Sequence, residues 1–247
     1  MDDRFSRTEI LLGKAALKKL NNSRVAVFGL GGVGGYVVEI LARSGVGALD
    51  LIDNDKISST NINRQILATD KTIGQFKTEV AKERVLSINP DCKVTVFNTF
   101  FLADTKDLFD FKNYDYVVDA IDTITGKKEI ILSAKASGVP VISSMGTGNK
   151  VDPTAFKVAD IYKTSVCPLA KVMRGICRKN GVDKLKVVYS EEKPYSLTET
   201  QKEEIRSSSF DDGKLLRKDT PASVAFTPAA AGIILASEVI KDLIKNI

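Results

Sequence analysis

A glycine-rich turn gives this sequence its most specific chemical signal. The turn occupies residues 29–34, between an apolar segment at Arg24–Phe28 and a predicted helix at 33–43. Its glycines are Gly29, Gly31, Gly32 and Gly34. Such glycines let backbone N–H groups approach a phosphate at the positive end of a helix. Asp53 ends the next predicted strand, where a carboxylate can accept hydrogen bonds from ribose hydroxyls. These features favour a nucleotide site over a turn needed only for tight packing, but they do not distinguish NAD from ATP.

Two cations downstream of the turn favour ATP. An enzyme that transfers AMP needs cations on the phosphates, because negative charge develops there as pyrophosphate leaves. Arg64 and Lys77 are the candidates, with Asn61 as a polar clamp. Asp122 follows a predicted strand on the ligand side of the sheet and could hold Mg²⁺ beside the phosphates. Each side chain also has a purely structural alternative. Lys77 can start a helix in solvent, Arg64 can pair with Asp55, and Asp122 can cap the next helix.

The composition excludes several kinds of catalysis. The chain contains no histidine, so Ser-His-Asp chemistry and most zinc sites are excluded. Its three cysteines, Cys92, Cys167 and Cys177, have no paired spacing, so neither zinc nor a disulfide framework is expected. A reducing compartment, the cytoplasm, fits this usage, and the N-terminus does not resemble a signal peptide. Cys167 could form a thioester, but a small buried residue is the favoured interpretation. The net charge of +5 mildly favours an anionic partner such as a nucleotide or RNA.

Alternating strand and helix patterns predict the fold that would position these residues. The predicted strands are 24–28, 49–52, 93–97, 116–120, 140–143 and 185–189, and the predicted helices are 7–21, 33–43, 76–88, 125–137 and 168–179. This order predicts an α/β fold with a Rossmann-like, doubly wound, mainly parallel sheet and a C-terminal extension. We expect one domain over residues 1–247, with a nucleotide-binding part at about 1–150 and a substrate-facing part at about 151–247. Residues 190–213 predict a mobile loop or crossover. Residues 222–240 predict a buried strand and helix rather than a membrane span, because polar residues interrupt them.

Five segments together resemble the ubiquitin-activating-enzyme superfamily. They are residues 29–34, 53–55 (DND), 61–65 (NINRQ), 74–77 (GQFK) and 119–122 (DAID). The resemblance implies that ATP is bound and that the ATP-site residues are Gly32, Asp53, Asn61, Arg64, Lys77 and Asp122, with Asp55 in the same set of motifs. It also implies a homodimer in which an N-terminal arginine reaches into the neighbouring site. Residues 4–7 (RFSR) match that element, which makes Arg7 the reaching residue.

The second half of the chain resembles one branch of that superfamily, the tRNA threonylcarbamoyladenosine dehydratases. The similar segments are 164–174, 187–192 and 223–228, and Cys167 departs from the pattern of the branch. This resemblance implies ATP-dependent dehydration of threonylcarbamoyladenosine in tRNA through an acyl-adenylate. A competing function is adenylation of the C-terminal glycine of a ubiquitin-like sulfur carrier, although such activators usually carry two zinc-binding Cys-x-x-Cys pairs. The sequence also leaves open an NAD-dependent oxidoreductase and a non-catalytic tRNA-binding module.

A basic stripe on the helix at Pro168–Lys179 is the candidate tRNA surface. Lys171, Arg174 and Arg178 are three and four residues apart, so they share a helix face distinct from the apolar one. The alternative is an ordinary solvated basic face. A sulfur-relay or desulfurase protein is a further conceivable partner, which the sequence does not specify.

Overall fold

The computed structural model describes residues 3–102, 104–201, 203 and 221–247. Its seven strands form one sheet in the order β3-β2-β1-β4-β5-β7-β6. The strands are β1 (Arg24–Phe28), β2 (Ala48–Ile52), β3 (Lys93–Phe97), β4 (Tyr116–Asp119), β5 (Val141–Ser144), β6 (Phe156–Asp160) and β7 (Lys186–Ser190). All neighbouring pairs are parallel except β6 with β7. The strand order reverses beside β1, which is where sheets of this kind bind ligands.

Helices cover both faces of the sheet. They are α1 (Ser6–Leu12), α2 (Lys14–Asn21), α3 (Gly34–Arg43), α4 (Lys77–Ile88), α5 (Ile124–Ala136), α6 (Pro168–Lys179) and α7 (Phe226–Leu243). Because side chains alternate along a strand, β1 contributes to two cores. Val25 and Val27 pack with α3, α4 and α7, whereas Ala26 and Phe28 pack with α5 and α6. The predicted doubly wound, mainly parallel α/β fold is therefore confirmed.

Helix α7 packs closely on the start of α3. A Cβ atom at Gly232 would overlap the carbonyl oxygen of Val33, so only glycine permits this approach. The helix buries an apolar stripe of Ala231, Leu235, Ala236 and Val239. No helix within the described residues is long and apolar enough to span a bilayer.

Three elements differ from the sequence prediction. The predicted helix at 7–21 is two helices, because Gly13 adopts φ 87° and ψ 159° between them. Strand β6 was not predicted, since it lies at the sheet edge with Lys157 and Val158 exposed and so lacks a clear apolar pattern. The predicted strand within 222–240 is wrong, because α7 starts at Phe226 and no strand precedes it among residues 221–225. The predicted loop at 190–213 lies partly outside the described residues.

Candidate active site

The glycine turn presents free backbone donors at the start of α3. Within the described chain, the N–H groups of Gly31, Gly32 and Val33 have no hydrogen-bond acceptor. Val33 is the N-cap residue of α3, and no side-chain hydrogen bond caps this end of the helix. Gly34 has a packing role, because a Cβ atom there would overlap the carbonyl oxygen of Gly29. Unpaired N–H groups at a helix N-terminus bind anions, so this turn can hold a phosphate.

Asp53 follows β2 and is held beside the turn. Its Oδ2 accepts a hydrogen bond from the Leu30 N–H at 2.7 Å, and its Oδ1 accepts one from the Asp55 N–H at 2.8 Å. Burial raises the pKa of Asp53, although Lys77 and the two N–H donors act in the opposite direction. The carboxylate is thus fixed in orientation at the carboxyl end of its strand, and each oxygen retains a lone pair for a ligand.

Lys77 is the first residue of α4 and is buried, so the solvated alternative is wrong. Its Nζ lies 2.7 Å from Asp55 Oδ2 and 3.9 Å from Asp53 Oδ1. The Lys77 side chain is 7% exposed, whereas that of Asp55 is 54% exposed. One ammonium group therefore lies between two carboxylates at the wall of a cavity. A phosphate that approached Lys77 would compete with Asp55, the partner that is easier to return to water.

Arg64 extends from the loop that precedes α4. Its Nη1 donates to Thr60 O and to Asn63 Oδ1, each at 2.9 Å, so the predicted alternative of pairing with Asp55 is wrong. Both bonds use Nη1, so within the described chain Nε and Nη2 remain for a ligand. Burial lowers the pKa of the guanidinium because the cation loses hydration. Asn61 Oδ1 accepts from the Ser58 N–H at 3.3 Å, which leaves the Asn61 amide N–H groups as donors.

Asp122 lies three residues after the end of β4. The Asp122 side chain is exposed, and the described part of the chain gives its carboxylate no hydrogen bond or ion pair. The N-cap of α5 is Thr123, so the capping alternative for Asp122 is wrong. A buried ion pair lies at the ends of the neighbouring strands: Lys127 Nζ lies 3.1 Å from Asp119 Oδ2 and donates to Ser144 O at 2.7 Å. Both members of this pair are fully buried, so they hold the ends of β4 and β5 together.

These groups line one cavity of about 780 Å³ at the carboxyl edge of the sheet. Predicted site residues in its wall are Gly29, Gly31, Gly32, Asp53, Asp55, Asn61, Arg64, Lys77 and Asp122. The fold thus brings together residues from the connections that follow β1, β2 and β4, as expected at the topological switch point of such a sheet. Cations and free N–H groups in the lining of one cavity suit phosphates, and the volume is that of a small-molecule site.

A family comparison matches the ThiF family over residues 5–246. The chain belongs to the ThiF family. A Bacillus subtilis relative named tRNA threonylcarbamoyladenosine dehydratase is 43% identical over 98% of this chain and 95% of its own length. The crystal structure of E. coli tRNA N6-threonylcarbamoyladenosine dehydratase, TcdA, in complex with AMP has a TM-score of 0.85. The E. coli protein is 32% identical to this chain, and the alignment covers 98% of this chain and 94% of the E. coli chain. Saccharomyces cerevisiae UBA4, named adenylyltransferase and sulfurtransferase, is 32% identical over 69% of this chain and 39% of its own length. The predicted family resemblance is confirmed.

Some predicted residues lie outside the cavity wall of this ThiF-family protein. Gly34, the last residue of the turn, does not line the cavity, and Arg7 is exposed on α1. Lys171 and Arg178 are exposed on α6, with the Arg178 guanidinium 5.4 Å from the ring centre of Tyr162. Arg174 instead turns inward and donates to the carbonyl and hydroxyl oxygens of Thr164. The stripe therefore presents two solvated cations rather than three.

Several wall residues of this ThiF-family site were not predicted. Gln65 is 6% exposed, and its Oε1 has no partner within the described residues. Residues 145–148 follow β5, so the rule that ligands bind at the carboxyl ends of strands could have identified them. Pro228 lies at the start of α7 and is packed against Gly32. No local signal indicates Pro228, because its position depends on how α7 docks.

The three cysteines of this ThiF-family chain are buried and free. Burial raises the pKa of Cys92 to about 11, which disfavours the reactive thiolate. Cys167 is 1% exposed and does not line the cavity. Among the described residues, no group of three or more acidic or cysteine side chains forms a metal cage.

Proposed function

We propose that this protein uses ATP to cyclise threonylcarbamoyladenosine in tRNA through an acyl-adenylate, with net loss of water. The cavity whose lining combines the free N–H groups of the turn with Arg64 and Lys77 carries the proposal. The near full-length similarity to dehydratases of that name supports the same substrate. The E. coli relative with AMP bound supports an adenylate as the enzyme-bound species.

The first step joins the threonyl carboxylate to AMP. A carboxylate oxygen of the substrate attacks the α-phosphorus of ATP, and the bond to pyrophosphate breaks. Arg64 and Lys77 offset the negative charge that grows on the phosphates, and the N–H groups of the turn orient them. Asp53 can accept from the ribose hydroxyls, which fixes the nucleoside end of ATP.

The donor set also fits a magnesium ion carried by the nucleotide. Mg²⁺ binds through one or two carboxylates together with phosphates and water rather than through a dedicated protein cage. The unpaired carboxylate of Asp122 would hold the ion, which supplies positive charge next to the phosphates. Asp122 itself contributes by keeping a negatively charged oxygen at the end of β4.

The second step closes a ring and releases AMP. A nucleophilic atom of the same threonylcarbamoyl group attacks the activated carbonyl, so the bond to AMP breaks and a proton leaves. Ring closure requires no enzyme thiol, because holding the reacting atoms close supplies much of the acceleration. The burial of Cys167 supports this thiol-free route over a thioester intermediate.

Three competing functions account for less of the molecule. Adenylation of a sulfur carrier shares the first step, but the UBA4-like relatives match less of their own length and this chain lacks Cys-x-x-Cys pairs. An NAD-dependent oxidoreductase leaves Arg64 and Lys77 without a role in the reaction. A non-catalytic RNA-binding module leaves the whole phosphate-compatible wall unexplained.

The remaining partners are also proposals. We place tRNA phosphates on the exposed cations Lys171 and Arg178, since such contacts orient RNA without reading its sequence. A homodimer would bring the Arg7 of one protomer to the cavity of the other, in line with the family resemblance. Cytoplasmic location is supported by three free, buried cysteines. We also keep a sulfur-relay or desulfurase protein as a proposed partner.

The test of the proposed function is the nucleoside content of tRNA after reaction. The protein is incubated with ATP, magnesium and tRNA that carries threonylcarbamoyladenosine. The tRNA is then digested to nucleosides, and their masses are measured by mass spectrometry. The proposal expects a product lighter by one water together with stoichiometric AMP. AMP formation with a carrier protein but not with tRNA would instead support the sulfur-carrier function.

A further inference from the structure

Residues 221–225, here called the 221–225 segment, are attached to two separate loops of the cavity. On one side, the Asn149 N–H donates to Ala222 O, and Asn149 Oδ1 accepts from the Ala222 N–H, both at 2.8 Å. On the other side, Asn63 Nδ2 donates to Ser223 O at 3.1 Å. Pro221 and Ser223 belong to the cavity wall. The segment is therefore a bridge between the loop after β5 and the loop that carries Arg64.

The amide of Asn63 connects this bridge to Arg64. Arg64 Nη1 donates to Asn63 Oδ1 at 2.9 Å, while the Asn63 amide N–H group donates to Ser223. The orientation of the amide is fixed, because a guanidinium only donates and a carbonyl only accepts. Asn63 does not line the cavity itself, so it acts through its neighbours.

The far side of the bridge contacts a different part of the cavity wall. Gly146, Thr147 and Gly148 line the cavity beside the 221–225 segment. A Cβ atom at Gly148 would lie 2.6 Å from Pro221 Cβ, so the two walls touch directly. Asn149, which holds Ala222, is the next residue along the chain and adopts φ 57°. A ligand that contacts residues 146–148 therefore also contacts the loop whose Asn149 holds Ala222, the neighbour of Ser223.

We infer that Asn63 is a positioning residue through which the 221–225 segment sets the orientation of Arg64. The inference rests on the proposed function, because the threonylcarbamoyl group is the ligand that would contact the walls at 146–148 and 221–223. Seating of that group fixes the Ser223 carbonyl, Ser223 fixes the Asn63 amide, and the amide holds Arg64 toward the phosphates. Arg64 is then held most firmly when both substrates are present.

A double-mutant cycle tests this coupling. Asn63→Ala removes the link to Arg64, and Asn149→Gly loosens the other end of the bridge while still permitting a positive φ. ATP affinity is measured without tRNA, and AMP formation is measured with tRNA that carries threonylcarbamoyladenosine. Asn113→Ala is the matched control, since it removes an exposed amide hydrogen bond to Asp110 outside the cavity wall. Thermal unfolding reports whether each variant is folded.

Asn63→Ala is expected to lower kcat/KM for tRNA about tenfold, the effect of losing one hydrogen bond to a charged group. ATP affinity without tRNA should fall by a smaller factor than kcat/KM in Asn63→Ala, because Lys77 and the N–H groups of the turn still bind the phosphates. The double variant should be no worse than Asn63→Ala alone. Multiplicative losses in the double variant, or an equal loss of ATP affinity without tRNA, would overturn the coupling. Wild-type protein that forms no AMP with this tRNA refutes the proposed function instead, so the two failures are distinguishable.

Discussion

Replacing Lys77 with methionine tests the charge balance of the cavity most directly. Methionine keeps most of the buried stem but removes the ammonium group, which lies 2.7 Å from Asp55 and 3.9 Å from Asp53. Loss of a fixed donor to a developing charge costs about 10²- to 10³-fold in rate. The variant also leaves two carboxylates without their cation. At about 4 Å and an effective dielectric constant of about 20, each such attraction amounts to about 4 kcal/mol before solvent responds.

We therefore expect Lys77→Met to lower kcat/KM for AMP formation about 10³-fold, with part of the loss in KM for ATP. Adding Asp55→Asn to this variant removes one unpaired carboxylate and should raise its kcat/KM for AMP formation about tenfold. Lys93→Met is the control, because this exposed lysine lies at the opposite end of its strand from the cavity. AMP is quantified by chromatography, and thermal unfolding verifies folding. Activity of Lys77→Met within about threefold of wild type would refute the placement of this side chain at the phosphates.

Three further predictions concern the dimer, the RNA surface and the thiol. Mixed Arg7→Ala and Asp122→Ala chains, each inactive alone, should regain part of the activity, because one intact site forms per mixed dimer; no recovery despite proven subunit exchange contradicts sharing of Arg7. Lys171→Gln with Arg178→Gln should weaken tRNA binding and flatten its log–log salt dependence by roughly one unit per lost phosphate contact, whereas ATP binding stays the same. An unchanged salt slope would place the RNA elsewhere. Cys167→Ala should keep AMP formation and ring closure within about threefold, and loss of ring closure alone would indicate a thioester.

Local sequence signals were sufficient for most elements of the fold. The helix at Pro168–Lys179 has the predicted bounds, because proline fits the first helical turn and Asn180-Gly181 ends the helix. Strand β6 could not be predicted from its pattern, since an edge strand with exposed side chains has no alternation to detect. Gly13 ends a helix through a backbone conformation that its neighbours do not reveal.

The site was predictable where position along a strand decides the outcome. Asp53 and Asp122 follow parallel strands, whose carboxyl ends meet at one edge, so their meeting in one cavity followed from the fold class. The partners of Lys77 were not predictable, since they depend on how α4 begins beside residue 55. Periodicity placed Arg174 on the basic stripe, but it could not show that Thr164 draws the guanidinium inward. The hydrogen-bond partner of a side chain depends on the tertiary structure, which periodicity does not describe.

The position of α7 has a consequence for how the molecule is made. This helix is the last element of the described chain, yet it packs on α3, and its Pro228 contacts Gly32 in the turn after the first strand. Because domains are synthesised from the N-terminus, the turn leaves the ribosome long before the helix that covers it. A nascent chain that stops before residue 226 exposes the apolar face of α3 to chaperones and lacks one wall of the cavity. We therefore expect ATP retention by stalled ribosome complexes to begin only once residues 226–243 have cleared the exit tunnel.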